Sequence, residues 1–206
     1  AAVSAINGAS RGTITITGMS GHAGTVPMAM RQDTIAAAAE MILAVEARGK
    51  ATKDLVATVG RIVVPNAAVN TVAGETTITL DVRSPIDAER KAAVRDIETA
   101  CQAIAARRNV SMRMDMPYDA PAAACDPLLM EAFEAAMAAS GGAPTRMGSG
   151  AGHDAMSFKD IVPFAMLFVR CKGGISHNPA EFAAETDIGA AADVLCAMIE
   201  RLSERY

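Results

Sequence analysis

Thr13-Ile14-Thr15-Ile16-Thr17 alternates β-branched polar and apolar residues at every step. That period of two predicts a strand with one face in a core and the other outside it. After the strand, a glycine-rich turn runs from Gly18 to Gly24 and leads to Pro27, where a helix would begin. Ile35, Ala38, Ile42 and Val45 then recur at three- and four-residue steps. This predicts an amphipathic helix across residues 29–47 with those four residues inward. Residues 55–64 read as a second strand, Pro65-Asn66-Ala67-Ala68 as a turn, and residues 76–82 as a third strand. Asp87 is placed to cap a helix whose inner face is Val94, Ile97, Cys101 and Ile104. Val110, Met112, Met114 and Met116 alternate with Ser111, Arg113 and Asp115, predicting a fourth strand lined by methionine. The order β-α-β-β-α-β is the ferredoxin-like split unit, expected as a complete small domain over residues 8–117.

Pro117 to Pro121 reads as a linker, and the pattern changes beyond it. Asp126-Pro127 starts a helix carrying Leu129, Phe133 and Met137. Residues 162–169 form a nearly continuous apolar run, as expected of a strand covered on both faces. Thr186 is placed to cap a last helix with Ile188, Ala192, Leu195, Ile199 and Leu202 on one face. One strand cannot make a sheet. Residues 118–206 are therefore expected to be the C-terminal part of a larger α/β domain whose N-terminal part lies outside the chain. The apolar opening without an initiator methionine fits a chain that begins inside a larger one. The fold class is α/β, of the α+β kind.

Composition narrows the function. The 206 residues are 51% hydrophobic, 20% charged and 3% aromatic, with net charge −4, ordinary for a soluble globular protein. No Lys/Arg cluster favours nucleic acid as a partner, and no apolar run is long enough for a membrane span. Cys101, Cys125, Cys171 and Cys196 lack C-x-x-C spacing, which signals neither a zinc knuckle nor a redox pair. Cys101 and Cys196 fall on apolar helical stripes and read as buried thiols, as expected in the cytoplasm.

The three histidines sit in glycine-bearing loops: His22 in Ser20-Gly21-His22-Ala23-Gly24, His153 in Gly152-His153-Asp154, and His177 in Gly174-Ile175-Ser176-His177-Asn178. Loops on a rigid scaffold are where binding and catalytic groups gather, although a loop histidine is commonly just solvated. Arg83 follows Asp81 at a strand end. It is either a solvated terminus or a fork for a carboxylate. Asn70 is either turn chemistry or a substrate contact. Glu181 and Asp154 are near enough in sequence to orient an imidazole. The loop Gly148-Ser149-Gly150-Ala151-Gly152 offers backbone N–H groups to an anion or a polar carbonyl. No nucleotide phosphate loop or G-x-S-x-G elbow occurs.

Four of these motifs together resemble one family. Gly21-His22-Ala23-Gly24-Thr25-Val26-Pro27-Met28 with Arg31 and Asp33 is similar to the histidine loop of allantoate and N-carbamoyl-L-amino-acid amidohydrolases. Pro65 to Asn70, Gly74 and Asp81-Val82-Arg83 resemble the family's asparagine turn and arginine strand. Ser149 to Ala155 resembles its glycine loop, and Gly174 to Glu181 its C-terminal metal motif. The ordered set spans residues 18–181.

The resemblance implies a catalytic domain holding two divalent metals, zinc or manganese, and an inserted ferredoxin-like lid that forms a homodimer. It implies hydrolysis of a carbamoyl C–N bond in a small ureido acid. His177 would be a metal ligand. His22 would reach the partner subunit's site and stabilise the oxyanion. Asn70 and Arg83 would hold the substrate carboxylate. Gly150, Ala151 and Gly152 would line the ureido pocket, with His153 orienting the loop or touching substrate. The family's H-x-D element, bridging aspartate, Glu-Glu pair and further histidine are not in the chain, so the chain alone is expected to be inactive and to bind no metal stably. The competing expectations are a related peptidase or aminoacylase, and a non-catalytic dimerisation or ligand-binding module.

Overall fold

A computed structural model describes residues 1–204. Two strands open the chain, β1 (Ala2–Ile6) and β2 (Gly8–Thr17), and they belong to different compact units. β1 joins a unit made of Ala1–Asn7 and the residues from Ala123 onward, and β2 a unit made of Gly8–Ala122. The protein is of mixed α/β class.

In the unit Gly8–Ala122, β2 is followed by β3 (Gly21–His22), α1 (Thr34–Lys50), β4 (Val56–Thr58) and β5 (Ile62–Val63). Then come β6 (Thr71–Val72), β7 (Glu75–Ser84), α2 (Asp87–Arg107) and β8 (Ser111–Ala120). The antiparallel sheet has the order β4-β7-β2-β8, with β5 also on β7, and β3 pairs with β6 apart from it. β2 and β7 pair without a slip from Gly8↔Ser84 to Thr17↔Glu75. That register puts Ile14, Ile16, Ile78, Leu80 and Val82 on one buried face. Ala37, Ala38, Met41 and Val45 of α1 and Ala93, Ile97, Cys101, Ile104 and Ala105 of α2 complete the same core. Burying each large aliphatic side chain contributes about 1.5–3 kcal/mol. The other sheet face carries the threonines the alternation placed there, Thr13 opposite Thr79 and Thr15 opposite Thr77.

Four expectations are corrected in this unit. Helix α1 starts at Thr34, because Asp33 caps it through Ile35 N (3.0 Å) and Ala36 N (3.2 Å), while residues 28–30 make only one 3₁₀ turn after Pro27. Its buried stripe passes through Ala37 and Met41, leaving Ile35 43% exposed. The expected strand 55–64 breaks into β4 and β5, because the Thr79 hydroxyl takes the Gly60 and Arg61 N–H groups (3.2 and 3.0 Å). Asp87 does not cap α2. It accepts from Arg90 and from Ala122 N (3.0 Å).

The fourth correction concerns Pro117, which lies inside β8 rather than in a linker. β8 is an edge strand, where a missing N–H is tolerated. A bulge between Arg11↔Tyr118 and Thr13↔Asp115 carries the extra residue. A Cβ on Gly12 would stand 2.0 Å from Asp115 O, so glycine is what lets the bulged backbone approach.

The strands that enter and leave this unit, the start of β2 and the end of β8, are tied by one buried cation. Arg90 has 0% exposure and binds Asp87 (2.9 Å), Asp119 and Ser10. Ser10 Oγ donates to Asp119 at 2.8 Å. The Arg90 guanidinium holds the Asp119 carboxyl below the usual carboxylate range.

In the other unit, β9 (Ala123–Ala124), α3 (Pro127–Ala139), β10 (Arg146–Ser149) and α4 (Glu185–Ser203) join β1. The sheet order is β10-β1-β9, with β1 parallel to β10 and antiparallel to β9. Ala2, Val3 and Ile6 of the central β1 are fully buried. Asp126 caps α3 through Leu128 N and Leu129 N (2.9 and 3.0 Å) with Pro127 in the first turn.

The apolar run 162–169 is not a strand. It follows β1 through one bridge, Ala2↔Leu167, and through Val3 N to Met166 O (2.9 Å). The last helix buries Val194 and Met198 against α3. Contrary to expectation, Ile188, Leu195 and Ile199 are 52%, 45% and 56% exposed, and Cys196 is exposed with them. α4 has apolar residues on two faces, and α3 covers only one. Among the described residues, no helix is long and apolar enough to cross a membrane.

Two outcomes follow from the buried groups. Arg90→Met is expected to destabilise the chain by about 1–3 kcal/mol, because hydrogen bonds from the buried guanidinium to Ser10 and to the half-exposed Asp87 and Asp119 are lost. A urea midpoint equal to that of the parent chain would count against the tie. Thiol titration of the folded chain at pH 8 is expected to modify Cys196 quickly and Cys101 only after denaturation. Cys101 is buried, and burial pushes its thiol up to about 11. Early modification of Cys101 would contradict the packing of α2.

Candidate functional site

In the unit Gly8–Ala122 the structure brings His22 and Asn70 together. β3 pairs with β6 as Gly21↔Val72 and His22↔Thr71, and Ala23 N donates to Asn70 O at 2.8 Å. Gly18 N donates to Gly74 O (2.9 Å) and Met19 N to Gln32 O (3.2 Å), which ties the histidine loop to the sheet end and to the approach to α1. A Cβ on Gly74 would come within 2.9 Å of Ser20 N, so the two loops touch backbone to backbone.

His22 itself is exposed. Its Nδ1 accepts the Gly24 N–H at 3.0 Å, and its carbonyl accepts Thr25 N and Val26 N (3.2 and 3.1 Å). An imidazole that accepts at Nδ1 carries its neutral-state proton on Nε2, and so presents a donor outward.

Arg83 is not brought to that pair. It lies near the end of β7 remote from Glu75, eight residues along the strand and on the order of 25 Å away. Arg83 binds Asp81 in a fork, Nε to Oδ1 at 2.8 Å and Nη2 to Oδ2 at 2.9 Å. Arg11 Nε reaches the same carboxylate at 2.9 Å, and the Arg11 Cζ lies 4.9 Å from the centre of the Tyr118 ring. Burial pushes the Asp81 carboxyl up, but the Arg83 and Arg11 guanidiniums outweigh it and hold it below the usual range. The result is a two-cation, one-anion cluster on the threonine-bearing face of the sheet.

In the other unit, Ser149 closes β10 and its Oγ donates to Ala151 O (2.9 Å), bending the chain into the exposed Gly150-Ala151-Gly152 stretch. His153 caps the 3₁₀ turn Asp154–Phe158, with Nδ1 accepting Ala155 N at 3.0 Å. His177 has φ 55°, a left-handed conformation uncommon for a non-glycine residue. Glu181 takes the His177 backbone N–H at 3.0 Å rather than the ring, and Asn178 Oδ1 takes Ala180 N (2.9 Å). These bonds fold the loop onto itself, with Gly173 and Gly174 also at positive φ.

Three features escaped the sequence reading. Arg31, quoted as part of a motif, bonds Val26 O (3.2 Å) and Ala23 O (2.6 Å). Asp81 joins two arginines that lie 72 positions apart in sequence. Asn7 Oδ1 is buried and has no hydrogen-bond partner among the described residues. A Cβ on Gly148 would stand 3.8 Å from it. Only the β-pairing of Asn7 N with Ser149 O (2.8 Å) places Asn7 beside the glycine loop, and no local signal predicts that.

No group of three or more His, Cys, Asp or Glu side chains among the described residues could hold a metal. His177 is a single imidazole, and the carboxylate nearest in sequence, Glu181, is engaged with the backbone. Metal sites take three or four protein ligands. The described residues therefore do not by themselves fit one metal, still less two.

Known proteins resemble this chain over nearly its whole length. It is 38% identical over 226 residues to an allantoate deiminase of Arabidopsis thaliana, covering 96% of the chain and 43% of that protein. It is 33% identical over 195 residues to an N-carbamoyl-L-amino acid amidohydrolase of Geobacillus stearothermophilus, covering 92% of the chain and 46% of that protein. A crystal structure of a hydantoinase/carbamoylase family amidase from Burkholderia multivorans superposes with TM-score 0.92 at 32% identity, over 97% of the chain and 49% of the amidase. The chain thus spans about half the length of these relatives. With residues 7–201 matching the model of peptidase family M20/M25/M40, the chain belongs to that family.

Proposed function

We propose that the chain forms the lid and the C-terminal catalytic segment of an amidohydrolase that cleaves the carbamoyl C–N bond of allantoate or an N-carbamoyl-L-amino acid. Residues 8–122, the expected 8–117 extended past the end of β8, are the ferredoxin-like lid, a reading supported by the order β4-β7-β2-β8 with both helices in one core. Residues 1–7 and 123–206 serve a catalytic domain completed by the half of the relatives' length that the chain does not span. The exposed Ile188, Leu195 and Ile199 of α4 suit burial against that half.

The observation that carries the reading is the pair of groups suited to the two ends of a ureido acid. Arg83 is a guanidinium fork held flat by Asp81, and its family of named relatives includes enzymes whose substrates carry a carboxylate. His22 is an exposed imidazole with its donor on Nε2, suited to an oxyanion formed when water adds to the carbamoyl carbon. Asn70 stands beside His22 and contributes to substrate binding from there. Gly150, Ala151 and Gly152 line the pocket for the ureido group, and His153 offers an Nε2 donor there. His177 would supply one ligand to a pair of divalent metals, zinc or manganese, whose remaining ligands lie in other residues of the full protein.

The distance along β7 also favours a dimer. Arg83 and His22 lie toward opposite ends of that strand, so one lid does not close both on a single small acid. Two subunits can, with His22 reaching the partner's site.

The full-length protein is expected to release ammonia from allantoate or N-carbamoyl-L-amino acids, whereas the 206-residue chain alone gives no turnover. Arg83→Leu in the full-length protein is expected to lower kcat/KM about 100-fold, mainly through KM, as two charge-assisted hydrogen bonds are lost. No ammonia from any ureido acid, or an unchanged KM in Arg83→Leu, would sink the reading.

A further inference from the structure

We propose that Gly24 and Arg31 are positioning residues that hold His22 in its Nε2–H tautomer and aim the ring. The inference rests on the reading of His22 as the hydrogen-bond donor to the substrate.

An exposed imidazole on a two-residue strand has no core to fix it. Its neutral form exchanges readily between two tautomers, and only one of them presents a donor at a given nitrogen. Here the Gly24 N–H, 3.0 Å from Nδ1, selects the tautomer by requiring a lone pair at that atom. Gly24 also provides the space. A Cβ at this position would lie 3.2 Å from His22 Cε1 and 3.4 Å from Nδ1, tight enough to displace the ring. One residue thus supplies both the donor and the clearance.

The Gly24 amide can do this only while the turn keeps its shape. Two N–H groups of the turn already close on His22 O, those of Thr25 and Val26. The carbonyls of Ala23 and Val26 are both taken by Arg31, through Nη2 and Nε. The guanidinium therefore bridges the two sides of the turn that contains Gly24. A lysine has one nitrogen and cannot reproduce two separated donors in a fixed plane. Arg31 is itself anchored, because Gln32 O accepts Met19 N and Asp33 caps α1. A rigid helix start is thus linked through Arg31 to the ring that would meet the substrate. Arg31 need not touch substrate to affect the reaction.

The test reads the imidazole directly. Long-range proton–nitrogen spectra of the ¹⁵N-labelled chain, with His22→Gln to assign the signals, are expected to show His22 with an unprotonated Nδ1 and a protonated Nε2. A protonated Nδ1, or the averaged pattern of free histidine, would overturn the proposal. Arg31→Met and Arg31→Lys are both expected to shift His22 toward the averaged pattern while His153 keeps its own, which also checks that the chain remains folded. Gly24→Ala should displace the His22 signals without either arginine variant. His22 signals unchanged in all three variants would overturn the positioning roles.

In the full-length protein Arg31→Met is expected to lower kcat about 10–100-fold with KM within about threefold, the pattern of a misaimed group rather than lost binding. Equal losses in kcat and folding stability, both restored by Arg31→Lys, would assign Arg31 a purely structural role and overturn the inference. If no ureido acid is turned over, the functional reading fails, while the tautomer result still decides this one.

Discussion

The unbroken register between β2 and β7 is the constraint on which the rest of the larger unit depends. Ten residue pairs from Gly8↔Ser84 to Thr17↔Glu75 leave no freedom to slip, because a shift of one residue would turn Ile14, Ile16, Ile78, Leu80 and Val82 out of the core. The same register fixes the ends. At the Thr17–Glu75 end the chain leaves into the His22 loop and returns through the Asn70 turn. At the Gly8–Ser84 end stand Arg83, Asp81 and the buried Arg90 tie. The candidate groups are thus distributed to two ends of one sheet by the pairing that builds the core, and the separation of Arg83 from His22 follows from strand rise alone.

Irregularities in that sheet are concentrated on its flanks. β8 takes the bulge and Pro117, and β4 and β5 take the break at Gly60, while the central pair stays regular. This arrangement suits edges, where a lost ladder bond costs little and a regular open strand invites pairing with another chain. The Gly12 contact shows how local the accommodation is. One missing Cβ on the regular strand lets the irregular strand pass.

Much of the larger unit was legible because period two and period 3.6 are written in its residues. Thr13 to Thr17, Met112 to Met116 and the stripe Ile97, Cys101 and Ile104 each name their own buried face. What was illegible depended on pairing across long sequence distances. Nothing in Ala2 to Ile6 announces that it is the central strand of a sheet with residues 123–124 and 146–149. Nothing in residues 162–169 announces that they will follow that strand through a single bridge. α4 misled for a different reason: its apolar residues cover two faces, and a periodic count cannot say which face meets α3. At the candidate site the motifs gave residue identities but not their connections. The Arg31 bonds to two carbonyls and the sharing of Asp81 between Arg11 and Arg83 are properties of folded turns and neighbouring strands.

The three histidines illustrate how backbone geometry can hold identical side chains in different ways. His22 and His153 each accept, at Nδ1, the N–H of the residue two positions later. In the neutral state both therefore point a proton outward on Nε2. A nitrogen that carries a proton has no lone pair for a metal, so these two rings are shaped as donors to polar groups. His177 is held differently, through its backbone N–H to Glu181, with the chain in a left-handed turn, and no described residue engages its ring. Neither tautomer of that ring is selected by a backbone amide, in contrast to the other two.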